Sequence, residues 1–277
     1  MNTYIWASEF TEARLELLPK LRAHGFDGVE VPIFRPSVFP AAALRARLQG
    51  EGLACTAVSA LVRGQSLVTE DAQVRQRTLD HLRAMVAAAA EAGATILAGP
   101  FYNPVGEMTG RRRTGDEWSR LVDALRELGP ALDAHGITLA IEPLNRFETY
   151  VLNTQAEAAT LCREVGHPRV GVLFDTFHAT IEEKDLGASL RGLGETLAHV
   201  HISENDRGIP GSGHVPWQAV FDALTEMRYD GWLTIESFGF ALGDLSAAAS
   251  IWRDIEASPE LIAWEGIRFL RQHWPAR

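Results

Sequence analysis

The chain has 277 residues, 46% hydrophobic and 22% charged, a balance that suits one large globular domain spanning 1–277 and excludes a disordered or fibrous chain. A net charge of −10 with no long basic stretch argues against a surface built to neutralise nucleic-acid phosphates. Cys55 and Cys162 sit in apolar segments as small core residues, no apolar run reaches membrane-spanning length, and the first residues lack a charged and apolar leader, so a soluble cytoplasmic protein is expected.

From the N-terminus onward a phrase repeats: a helix-like stretch, a glycine, then a short β-branched run. It occurs at Gly25 before Val29, Glu30 and Val31, at Gly52 before Cys55 to Val58, and at Gly93 before Thr95, Ile96 and Leu97. It recurs at Gly136 before Thr138 to Glu142, at Gly166 before Val170 to Asp175, and at Gly231 before Trp232 to Glu236. Glycine after a helix supplies the left-handed stop, and the run that follows reads as a strand buried on both faces. Adding runs at 4–7 and 197–203 gives eight strands, each followed by a segment able to form a helix. Eight such units predict a closed (β/α)8 barrel, with an open doubly wound sheet as the alternative; no Gly-rich dinucleotide loop follows any strand. The run Arg111, Arg112 and Arg113 reads as a solvated loop.

Alternation along each strand then shows what faces the barrel axis. Thr138, Ala140 and Glu142 share one parity, as do Gly171, Leu173 and Asp175, then His199, His201 and Ser203, then Trp232, Thr234 and Glu236; aliphatics take the other. Glu142, Asp175, His201 and Glu236 are spaced 33, 26 and 35 residues apart, each about one βα unit, so they should ring the C-terminal mouth at one height. Any one of them alone reads as a helix cap, an ion-pair member or a hydrogen-bonded core histidine, and His199 reads as such a histidine or as a support for its neighbour. Together they would repel and suffer desolvation unless a cation sat among them. The oxygen-rich set with one imidazole suits one divalent ion of the Mn²⁺, Mg²⁺ or Co²⁺ type.

The blocks IEPLNRFET at 141–149, FDTFH at 174–178 and HVHISENDRG at 199–208 resemble the signature segments of the ketose 3-epimerases, within the xylose-isomerase-like TIM barrels. PGSGHVPW at 210–217, IESF at 235–238, GPFY at 99–102 and IWR at 251–253 extend the likeness over most of the chain. The resemblance implies that Glu142, Asp175, His201 and Glu236 bind the metal, the set that strand parity also selects. It further implies that Glu148, His178 and Arg207 hold substrate oxygens and that Trp6 and Phe10 lie against the substrate. Ala179, Thr180 and Pro216 depart from the pattern, and the loops around 63–66 and 103–105 match it loosely, which leaves the preferred ketose open.

The expected chemistry is removal and return of the proton at carbon 3 of a free ketose (D-tagatose/D-sorbose, D-fructose/D-allulose or L-ribulose/L-xylulose type) through an enediolate. Glu142 and Glu236 would serve as acid and base on opposite faces, with His178 and Arg207 polarising the carbonyl. An aldose–ketose or hydroxypyruvate-type isomerase is the nearest rival. A metal-dependent phosphodiesterase on nucleic acid and a silent sugar-binding protein stand further off. By analogy with such barrels a homo-dimer or homo-tetramer is expected, with Trp252 and Trp264 as candidate interface aromatics.

Overall fold

In chain order the elements are α1 (Leu17–Ala23), β1 (Gly28–Pro32), α2 (Ala41–Glu51), β2 (Ala54–Val58), α3 (Ala72–Ala92), β3 (Ala94–Gly99), α4 (Gly115–His135) and β4 (Thr138–Ile141). They continue with α5 (Gln155–Val165), β5 (Val170–Asp175), α6 (Thr176–Glu182), α7 (Leu186–Leu193), β6 (Leu197–Ile202), α8 (Trp217–Glu226), β7 (Leu233–Ile235), α9 (Asp244–Ala248) and α10 (Pro259–His273). The computed structural model describes residues 1–239 and 242–274. Helices α2 to α5 each stop at a glycine in the left-handed region, as their sequences require, and each stop leads directly into a strand. Thr114 and Thr154 open α4 and α5 with capping boxes to Glu117 and Glu157.

All seven strands are parallel and pair in sequence order from β1 to β7. The first expected strand, at 4–7, is not one: Thr3–Ile5 is a 3₁₀ turn capped by Asn2, whose side-chain oxygen accepts from the Tyr4 N–H at 2.9 Å. Closure is made earlier and by less chain. Asn2 N–H donates to the Ile235 carbonyl, and Glu30 N–H donates to the Met1 carbonyl, both at 2.9 Å, so residues 1 and 2 join β7 to β1. An asparagine that caps the next turn takes the chain out of extended pairing, which is why this strand is so short. The result is a (β/α)8 barrel in which the eighth strand is reduced to its pairing contacts, not an open sheet.

Two apolar layers follow from strand alternation. Ile96, Ala98, Ala140 and Leu173 fill the barrel, with Ala198 and Trp232 packed against them. Their neighbours Leu97, Leu139, Ile141, Val172, Phe174, Val200 and Ile202 point outward to the helices and belong to the large surrounding core. Ala198 departs from its expected outward parity. The β5–β6 register jumps from Val172↔Leu197 to Leu173↔His199, and the skipped Ala198 turns toward Gly171, where a Cβ would meet that of Ala198 at 2.6 Å. His199 and His201 keep the inward parity beyond this irregularity.

The arginine run is more structured than a solvated loop. Arg111 is bidentate to Glu117 at 2.8 and 3.0 Å, and Arg113 reaches Glu157 at 2.7 Å, so two of the three arginines tie the loop to the first turns of α4 and α5. Cys55 and Cys162 are buried free thiols, and among the described residues no helix is long and apolar enough to cross a membrane.

Gly99 ends β3 at φ +142°, and a Cβ there would stand 1.9 Å from the Ser59 carbonyl oxygen. Gly99→Ala should therefore cost at least about 2 kcal/mol. Chemical denaturation of the purified variant measures the loss, and a stability within error of the parent would show that the β2–β3 rim yields freely.

Candidate functional site

The mouth of the barrel is built from strand ends. Asp175 closes β5 and pairs in register with His201 on β6, while Glu142 and Glu236 stand one residue beyond β4 and β7. Backbone bonds fix these last two: Glu142 N–H donates to the Gly99 carbonyl at 3.1 Å, and Glu236 N–H donates to the Ile202 carbonyl at 3.2 Å. One ligand atom from each of Glu142, Asp175, His201 and Glu236 lies within 4.8 Å of the other three, and all four residues are buried. The height argument from sequence spacing thus brings together the intended four. Asp175 is at the same time the N-cap of α6, one carboxylate oxygen accepting from the Phe177 N–H at 2.7 Å. The plain reading and the functional one coexist in that residue.

The electrostatics are those of an over-acidic pocket. Burial, reinforced by the charges of Glu236 and Asp175, pushes the Glu142 carboxyl well above the ordinary range and holds a proton on it. Asp175 goes the other way: burial opposes its ionisation, but Arg207, His178 and His201 outweigh burial and keep it ionised. Burial would depress His201, yet Glu236 and Glu30 on its two sides raise it well above the ordinary imidazole value. Its Nδ1 lies 3.2 Å from Glu236 Oε1 and 4.0 Å from Asp175 Oδ2, and neither ring nitrogen makes a hydrogen bond. Three buried carboxylates and an imidazole nitrogen without a hydrogen bond form a donor set able to hold a divalent metal ion.

Arg207 and His178 stand at the rim of this set. Arg207 is buried with φ 64°, an uncommon backbone for a non-glycine residue, and its guanidinium lies 3.9 Å from the Phe177 ring and 4.9 Å from the Phe238 ring. Its Nη1 donates to Asp175 at 2.9 Å, Glu236 at 3.0 Å and Ser203 Oγ at 2.9 Å. Ser237 Oγ donates to the Arg207 carbonyl at 2.6 Å and secures the strained residue. His178 Nδ1 accepts the Asn145 backbone N–H at 3.1 Å, and burial lowers the affinity of the ring for a second proton. Nε2 faces the mouth, 3.3 Å from Arg207 Nη2 and 3.5 Å from Glu142. Asn145 also donates to Glu148 at 2.7 Å, joining a third residue to the group.

These side chains open into a cavity of about 780 Å³ lined by Glu142, Glu148, His178, Arg207 and Glu236 and walled by Tyr4, Phe34 and Phe238. The two aromatics expected against a substrate are elsewhere. Trp6 Nε1 donates to Glu260 at 3.2 Å and its ring packs 6.1 Å from Trp264, while Phe10 is buried in the outer core. The turn of Thr3–Ile5 is the cause, since Tyr4 and not Trp6 is presented to the mouth, stacked on Phe238 at 5.3 Å. Sequence reasoning also passed over Glu30, Asn2 and Asn145. Glu30 carried a legible signal, a carboxylate between two valines at the inward parity of its strand.

A barrel of this order with this donor set is a xylose isomerase-like TIM barrel, and the profile of that family matches residues 18–273. A probable ketose 3-epimerase of Synechocystis sp. is 34% identical over 272 residues, covering 98% of this chain and 95% of the relative. An L-ribulose 3-epimerase of Mesorhizobium japonicum is 31% identical, covering 98% and 92%. Among solved structures, a D-allulose 3-epimerase from Methylomonas sp. in complex with D-allulose superposes with a TM-score of 0.93 at 26% identity, covering 99% of this chain and 96% of that one. The chain belongs to the ketose 3-epimerase family.

The crowding at Glu142 has a consequence for stability. Its folded value lies above the unfolded 4.5, so the extra proton contributes stability that is complete below about pH 4.5 and is lost as pH rises through the raised value. In excess chelator, Glu142→Gln should melt several degrees above the parent at about pH 8, a gain of about 1–3 kcal/mol that shrinks toward about pH 5. Differential scanning calorimetry reads the gap, and equal melting at both pH values would mean that the carboxyl is not crowded.

Proposed function

We propose that the chain is a divalent-metal-dependent carbohydrate epimerase that inverts carbon 3 of free ketoses, of the D-tagatose/D-sorbose, D-fructose/D-allulose or L-ribulose/L-xylulose type. The observation that carries this reading is the pair of carboxylates, Glu142 and Glu236, entering one buried mouth from separate strands and sharing a ligand set with Asp175 and His201. A reaction that removes a proton from one face of a carbon and returns it to the other needs two such groups. Glu142, Asp175, His201 and Glu236 hold the ion, with Mn²⁺ preferred over Mg²⁺ or Co²⁺. When bound, it supplies the positive charge that makes a proton beside a carbonyl acidic enough to leave.

Glu142 and Glu236 hold and move that proton, exchanging acid and base roles with the direction of reaction. His178, whose Nε2 faces the mouth, polarises an oxygen next to the reacting carbon, and Arg207, always charged, favours the developing oxyanion. Glu148 orients a hydroxyl from the far rim of the cavity. Tyr4, Phe34 and Phe238 exclude water and take the wall position that Trp6 and Phe10 do not occupy. The names of the relatives favour the epimerase over an aldose–ketose isomerase on the same barrel. The protein acts as a cytoplasmic homo-dimer or homo-tetramer without nucleic-acid or membrane partners; exposed Trp252 is available to an interface, whereas Trp264 is stacked on His24 at 3.7 Å.

Incubation in D₂O with Mn²⁺ and each of D-tagatose, D-fructose, D-allulose and L-ribulose, followed by NMR, tests the reading. Deuterium at carbon 3 with the inverted ketose is expected, and label at carbon 1 or 2 with an aldose product would assign the isomerase instead. Glu142→Gln and Glu236→Gln should each lower kcat by about 10²- to 10⁴-fold with the fold retained. Turnover near the parent rate in either variant would remove that residue from the proton path.

A further inference from the structure

One carboxylate outside the four lies directly beneath them. Glu30, in β1, is fully buried, and its two oxygens meet four partners. Oε1 accepts from Asn2 Nδ2 at 3.1 Å and lies 2.8 Å from His201 Nε2; Oε2 accepts from Thr56 Oγ1 at 2.8 Å and lies 2.8 Å from His199 Nε2. The same Asn2 Nδ2 donates to Glu236 Oε1 at 3.1 Å. His201 is thus bracketed by charge, with Nε2 2.8 Å from Glu30 and Nδ1 turned to Glu236 and Asp175, and neither nitrogen makes an aligned hydrogen bond. In the neutral imidazole, the form that can ligate an ion, a carboxylate beside Nε2 favours the tautomer with its proton there, which leaves the Nδ1 lone pair aimed into the mouth.

We infer that Glu30 is a positioning residue for the metal centre: its charge against Nε2 favours the His201 tautomer with Nδ1 free and, through Asn2, it holds the carboxylate of Glu236. A ligand histidine whose second nitrogen meets a carboxylate is the arrangement that orients a first ligand and raises its basicity. The inference rests on the assignment of Glu142, Asp175, His201 and Glu236 to the ion. Glu30, His199 and His201 could in principle hold an ion of their own. Against that, both Glu30 oxygens already accept from Asn2 and Thr56, and no member of this trio lines the mouth cavity, whereas Glu142 and Glu236 of the four do. The strand closure and the site are therefore joined, since Asn2 both bridges β7 to β1 and touches two carboxylates of the centre.

Glu30→Gln separates these roles, because an amide offers one acceptor and one donor and cannot satisfy both histidines in the same tautomer. Titration calorimetry of metal-stripped protein with Mn²⁺ should show Kd raised by about 10- to 100-fold, with kcat at saturating Mn²⁺ within a few-fold of the parent. An unchanged Kd in a folded variant overturns the inference. Should the variant not fold, the parent itself decides: with ¹⁵N-histidine labelling and Mg²⁺ bound, the His201 spectrum should place the proton on Nε2, and a proton on Nδ1 overturns the inference. Failure of the parent to bind Mn²⁺ would instead refute the metal site on which the inference rests.

Discussion

Negative charge brought together in a buried mouth is the constraint on which this molecule is organised. Ligand atoms of Glu142, Asp175 and Glu236 converge within 4.8 Å beside the His201 imidazole, with Glu30 immediately below. In a mouth of low dielectric such a group is stable only if positive charge is interleaved with it. The protein's own contribution is Arg207, pinned between two carboxylates and two aromatic rings, together with the raised proton affinity of Glu142 and His201. A divalent ion answers the same demand with more charge in less volume.

Much of the surrounding architecture serves to keep that group in place. The barrel's interior holds small and aliphatic residues from β3 to β6, and Glu142 and Asp175 continue the same parity at the ends of β4 and β5. Arg207 sits on a left-handed residue in the loop after β6. Glu204, buried in the same loop, accepts from the Gly211 and Val215 N–H groups and from Trp217 Nε1 at 2.8, 3.0 and 3.0 Å. That single carboxylate folds 204–217 back on itself and so carries the strain at Arg207. The density of the sequence likeness in this stretch has a structural explanation as well as a chemical one.

The repeated helix–glycine–strand phrase was legible because Gly52, Gly93, Gly136 and Gly166 sit where only a left-handed residue ends a helix cheaply, whereas after α8 the left-handed residue is Arg228 and not Gly231. The four mouth residues were legible because alternation and βα spacing survive any uncertainty in loops. What failed depended on non-local or side-chain-specific choices. The capping oxygen of Asn2 converted 4–7 from strand to turn, which moved Tyr4 to the cavity and Trp6 and Phe10 away from it. A one-residue irregularity beside Gly171 turned Ala198 inward. The arginine run lies in a loop with Arg111 and Arg112 exposed, as read, but the ion pairs of Arg111 and Arg113 were missed because their partners, Glu117 and Glu157, lie at helix starts that charge runs alone do not point to. Glu30 was readable by parity but stood low on a strand, where nothing in the sequence linked it to His201.

Anomalous diffraction at the manganese edge from crystals grown with Mn²⁺ addresses the central claim most directly. The expected result is one strong peak within about 2.0–2.6 Å of Glu142, Asp175, Glu236 and His201 Nδ1, with Arg207 Nη1 withdrawn from the space between Asp175 and Glu236. A map with no peak among these four, in crystals that hold Mn²⁺ elsewhere, would contradict the claim that this charge cluster exists to bind a metal ion.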